Sequence, residues 1–102
     1  MNKQAMRKNA METIERFDKI LKHNASVEAE EDMIELGEGS MVSYGNAKRN
    51  LEICEIHDNM TEDEKAEINA IPNYTANFQP VKHIKEKHNL SWNEIKMMRF
   101  WN

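Results

Sequence analysis

Cys54 is the only cysteine among the 102 residues, so no disulfide can form within the chain. The chain does not open on the basic, apolar and small-residue succession of a secretory leader, and a reducing cytoplasm is therefore the expected location. Long apolar runs are missing too. None approaches the roughly 18 residues that a membrane-spanning helix needs, so no membrane partner is expected. Proline occurs only at Pro72 and Pro80, and both positions mark expected helix boundaries.

What is present suits one small domain. Hydrophobic residues make up 39 % and charged residues 31 %, enough apolar surface to build a modest core at this length. Charge is distributed unevenly. Residues 1–23 carry six bases and three acids, residues 81–102 five bases and two acids, and the stretch between them three bases against thirteen acids. The three sums, +3, +3 and −10, return the net −4. Such blocks are either solvated faces or surfaces that steer a partner.

Helical periodicity dominates, and the expected fold class is mainly α: a single domain over 1–102 with about four to six short helices. Met6, Ala10, Ile14, Phe17 and Leu21, with Ile20 beside them, recur at steps of three and four, which predicts a helix from about Lys3 to Lys22. Tyr44, Ala47, Leu51 and Cys54 share a second face, widened by Ile53 and Ile56, and predict a helix from about Asn46 to Asp58. Thr61 with Glu64 and Ser91 with Glu94 form two capping boxes, in which each side chain satisfies the other residue's backbone N–H. The first box opens a helix that Pro72 stops; Asn73 to Gln79 is then a loop. Pro80 suits the first position of the next helix, which breaks at His88-Asn89, and the second box opens a last helix from Trp92 to Trp101.

Residues 26–44 support two incompatible readings. In one, Ser26 caps a short acidic helix that ends at Gly37. In the other, 33–36 and 41–44 pair as a minor β-hairpin around Gly37-Glu38-Gly39-Ser40. Neither candidate strand alternates cleanly, and the helix is slightly favoured.

The carboxyl end comes closest to a functional pattern. Two short helices around a tight turn, over 81–101, have the layout of a helix-turn-helix, with Ile84, Leu90, Ile95 and Met98 inward and Asn89 at the turn. Under that reading Lys82, Lys85, Asn93, Lys96 and Arg99 are the candidate nucleic-acid contacts. Lys85 stands where a small residue is usual, which counts against it. The competing reading is an ordinary helical hairpin whose Trp92, Phe100 and Trp101 pack on the amino-terminal helix.

Chemistry is harder to assign. Cys54, His57, His83 and His88 lack the paired spacing of a zinc site, and no nucleophile sits beside a spaced base. No catalytic, cofactor-binding or metal-ligating residue is assigned, and the chain is not expected to be an enzyme. The favoured function is that of a small regulatory or inhibitory protein acting through protein–protein contacts, its acidic middle imitating nucleic-acid charge. Trp92, Lys96, Met97, Arg99 and Trp101 are its candidate contact residues. A nucleic-acid-binding regulator using residues 81–101 is the alternative. Eight methionines suit an adaptable interface, and burial of Trp and Met in a homodimer is a further expectation.

Overall fold

The computed structural model describes residues 2–72 and 79–101. It is mainly helical, with five α-helices among the described residues: α1 (Lys3–Ser26), α2 (Glu38–Asn59), α3 (Glu62–Asn69), α4 (Lys82–His88) and α5 (Trp92–Met98). Two 3₁₀ turns, Glu30–Asp32 and Gln79–Val81, complete the order. None of the described helices is long and apolar enough to cross a membrane. Tertiary contacts divide the chain into two units, Lys3–Glu52 and Ile53–Asn102, with the boundary inside α2.

In the first unit, α1 buries Met6, Ala10 and Phe17, and α2 buries Ala47. The predicted stripe is therefore real over its first half and fades over its second, where Ile20 is half-buried and Leu21 is 40 % exposed. Phe17 meets Tyr44 with ring centroids 5.4 Å apart, and the Tyr44 hydroxyl donates to Asp18 Oδ1 at 2.6 Å. This aromatic pair and its hydrogen bond fix α1 against the first half of α2.

Both readings of 26–44 fail. Ser26 is not an N-cap: its hydroxyl donates back to the His23 carbonyl at 2.8 Å, and it closes α1 rather than opening another helix. No strand forms among the described residues, so the hairpin at 33–44 is absent. The backbone groups that a partner strand would use are already engaged. Asn24 accepts from the Ile34 N–H at 2.8 Å and donates to the Ile34 carbonyl at 2.9 Å, while His23 Nε2 donates to the Asp32 carbonyl at 3.0 Å. The extended segment is thus pinned to the end of α1 by side chains. Gly37 then starts α2 instead of turning a hairpin, its carbonyl accepting from Ser40 and Met41 at 3.1 and 3.2 Å. As a result α2 begins eight residues before the predicted Asn46.

The second unit buries Ile53, Cys54, His57 and Met60 of α2 and its end, Ile68 and Ile71 at α3, Val81, Ile84 and Leu90 around α4, and Ile95, Met98 and Trp101 at the carboxyl end. Both capping boxes form, with all four hydrogen bonds between 2.8 and 3.1 Å. Pro80 lies in the 3₁₀ turn that runs into α4, two residues before the helix it was expected to open. Residues 73–78, the greater part of the predicted loop, lie outside the described residues. Asn89 takes the left-handed conformation expected of it, with φ 53°, and ends α4. The last helix stops at Met98, not Trp101, because Arg99 turns extended at φ −59°, ψ 132°.

Candidate functional site

Three residues at the end of α5 point in different directions, and the backbone explains why. Arg99 leaves the helix extended, and Phe100 follows at φ 67°, a left-handed conformation that a bulky residue rarely adopts. The sharp turn sends Trp101 inward. Its ring is 5 % exposed and lies edge-on to the buried His57 imidazole, with centroids 5.4 Å apart. Phe100 is turned outward and is 63 % exposed.

Two hydrogen bonds hold this turn. The Phe100 N–H donates to Asn69 Oδ1 at 2.7 Å, and the Arg99 guanidinium donates through Nη2 to the Ile71 carbonyl. Both acceptors lie at the end of α3, so the chain after α5 is tied to the segment before Pro72. The Arg99 guanidinium carbon also sits 5.0 Å from the Phe100 ring centroid, which limits the swing of that ring.

The predicted contact residues fall into three groups. Lys96 and Met97 lie on the exposed side of α5, and Asn93 is exposed one turn earlier. Trp92 is half-buried, with Lys85 Nζ 5.2 Å from its ring centroid, so these two engage each other; the lysine occupies a place where a small residue was expected by stacking on the indole. Arg99 and Trp101 belong to the turn and the core. Lys82 is exposed and pairs with Glu86 at 3.9 Å. Phe100 was missed at the sequence level: periodicity reads an aromatic beside Trp101 as core, and nothing in the residue names announces a left-handed backbone.

Charged groups of α3 and α4 form a compact network of their own. Glu64, the carboxylate of the first capping box, accepts from the Thr61 N–H at 3.0 Å and from His88 Nε2 at 2.8 Å, with Lys87 Nζ 3.4 Å away. Its carboxyl is lowered to about 2, first by the Thr61 backbone hydrogen bond; burial opposes the shift and His88 reinforces it. His83 pairs with Glu67 at 3.1 Å. Two of the three histidines of the imagined zinc set are thus engaged with carboxylates, and Cys54 is buried. Among the described residues no three His, Cys, Asp or Glu side chains converge as a metal site would require.

No protein-family model matches this chain, nor does any curated protein or solved structure. Its functional reading rests on the surface chemistry alone.

Proposed function

We propose that this chain is a small non-enzymatic binding protein that regulates or inhibits a protein partner, with the end of α5 as its contact surface. What supports the reading is Phe100. Among the described residues it is the one exposed aromatic, and it is held outward by a backbone conformation that costs about 1 to 3 kcal/mol. The same turn buries Trp101 and leaves the Phe100 ring outside, where a partner can cover it. Rigid aromatics are typical anchors of protein interfaces, because they bury a large area with few rotors to order. Met97, 36 % exposed at the same end of α5, adds an adaptable apolar contact, and Lys96 supplies a basic rim. The complementary partner offers an apolar pocket edged by carboxylates.

The distribution of the carboxyl-terminal bases favours a protein over a duplex. Arg99 is committed to the Ile71 carbonyl, Lys85 to the Trp92 ring and Lys87 to Glu64. Lys96 and the weakly paired Lys82 remain for phosphates, a small fraction of the six to ten contacts that give strong duplex binding. The thirteen acids between residues 24 and 80 oppose it further.

The test is affinity capture from the native host with the full chain and its Phe100→Ala variant, each with and without nuclease. The expected result is a nuclease-resistant protein partner lost from the variant. Micromolar binding to random duplex DNA, with a salt slope that Lys82→Ala and Lys96→Ala flatten by nearly two units, would replace this reading with the nucleic-acid one.

A further inference from the structure

The strongest feature outside the α5 surface lies in the first unit, where the chain leaves α1 and enters α2. Half of the large apolar side chains exposed among the described residues fall between residues 33 and 42: Met33, Ile34, Met41 and Val42 are 47, 46, 48 and 61 % exposed. The backbone that presents the first two is fixed, because Asn24 holds Ile34 through two hydrogen bonds of 2.8 and 2.9 Å. On α2, Met41 and Val42 stand three and four residues after Glu38, and Gly45 seven after it, which places all four on one face of the helix. The opposite face carries Tyr44, which meets Phe17 of α1, and the buried Ala47.

The charge around these side chains has one sign. From Asn24 to Ala47 there is no base, while Glu28, Glu30, Glu31, Asp32, Glu35 and Glu38 are all exposed. None of these six carboxylates has an ion-pair partner among the described residues. The neighbouring bases are engaged elsewhere. Lys19 pairs with Glu15, His23 meets the Asp32 carbonyl, Lys48 Nζ lies 4.4 Å from the Tyr44 ring centroid, and Arg49 pairs with Glu52 at 3.0 Å. Lys22 is left, one charge against six. Like charges so close along the chain repel one another, and the cations of a partner relieve that repulsion.

We infer that this face is a docking surface for a basic amphipathic segment of a partner protein. Apolar side chains of the segment cover Met33, Ile34, Met41 and Val42, and its lysines or arginines meet the carboxylates around them. The acidic surround repels nucleic acid and anionic lipid alike. Gly45 gives the segment room to approach: it has no positive φ, and a Cβ added there would meet nothing within 4 Å. Alanine would therefore fit and would make the better helix, whereas glycine leaves the outer face bare. This surface does not rest on the α5 reading, and neither Phe100 nor a partner captured there takes part in it.

Calorimetric titration of the full chain with a synthetic peptide of leucine and lysine in helical period tests the inference. The expected result is micromolar binding that weakens tenfold or more between about 0.05 and 0.5 M salt. The same peptide with serine for leucine, or with glutamate for lysine, should not bind. Met41→Gln with Val42→Gln should weaken binding tenfold or more, and so should Glu31→Lys with Glu35→Lys; all four side chains are exposed, so the helical circular dichroism should not change. Gly45→Ala should raise the thermal midpoint and still weaken binding, a combination that a merely structural glycine does not give. Phe100→Ala should leave binding unchanged, which separates this surface from the α5 contact. No binding at concentrations on the order of 100 μM, equal affinity for the serine peptide, indifference to the Met41 and Val42 substitutions, or loss in Phe100→Ala would overturn the proposal. So would self-association of the native chain that the two glutamines abolish, which assigns the face to a second copy, or uptake on phosphatidylcholine vesicles lost in the same variant, which assigns it to a lipid surface.

Discussion

His88 Nε2 donates to Glu64 Oε2 across 2.8 Å, joining the end of α4 to the first turn of α3. A residue whose first task is to cap one helix therefore also holds the end of the first helix of the carboxyl-terminal hairpin. Because Glu64 titrates near 2 in the fold against an ordinary 4.5, its contribution is complete above pH 4.5 and fades as pH falls towards 2. Glu64→Gln keeps an acceptor for the Thr61 N–H and removes the charge facing His88 and Lys87. The expected result is a lower urea midpoint for the variant at pH 6, with the gap to the native chain closing between pH 4.5 and 2. A gap that stays constant over that window would show that the carboxylate charge contributes nothing.

Phe17→Ala should destabilise the fold by about 3 to 5 kcal/mol, the range for removing a buried aromatic, because Phe17 is 5 % exposed and packs on Tyr44. Leu21→Ala, one turn further along the same predicted stripe, should cost clearly less, about 1 kcal/mol, since Leu21 is 40 % exposed. Urea titrations of both variants check the contrast.

Asn24→Ala removes both hydrogen bonds to the Ile34 backbone at once. Amide hydrogen exchange at Ile34 should accelerate to the rate of an unprotected loop, while core amides such as Ile53 keep their protection. The global cost should be about 1 kcal/mol, because the bonds are exposed and water replaces them. Unchanged exchange at Ile34 would mean that the segment is held by other contacts.

Phe100→Gly separates stability from binding. Glycine adopts φ 67° without a Cβ penalty, so relief of about 1 to 2 kcal/mol of strain offsets its greater freedom in the unfolded chain. The variant should be at least as stable as the native protein and yet fail to capture the partner. Loss of stability by more than about 1 kcal/mol would identify Phe100 as a structural residue. Asn89→Gly is the control: it relieves a left-handed position of similar φ at the opposite end of α5 and should leave capture intact.

The sequence by itself determined whatever is local in range. Thr61 with Glu64 and Ser91 with Glu94 specify their helix starts through side-chain–backbone bonds spanning three residues, and both form as read. Asn89 tolerates the left-handed turn, and Ile84, Ile95 and Met98 follow the helical period into the core. The tertiary structure decided what depends on a distant partner. Gly37 to Tyr44 has neither a clean helical nor a clean strand period, and its state was settled upstream by Asn24, which occupies the backbone of Ile34 ten residues on and leaves α2 to begin at Glu38. The exposure of Leu21 at the end of the α1 stripe was equally hidden, since periodicity reports that a face is apolar and not whether anything covers it. Phe100 and Trp101 make the same point at the site: adjacent aromatics of similar hydrophobicity part company because Asn69 and Ile71, some thirty residues earlier at the end of α3, hold the turn that buries one and exposes the other.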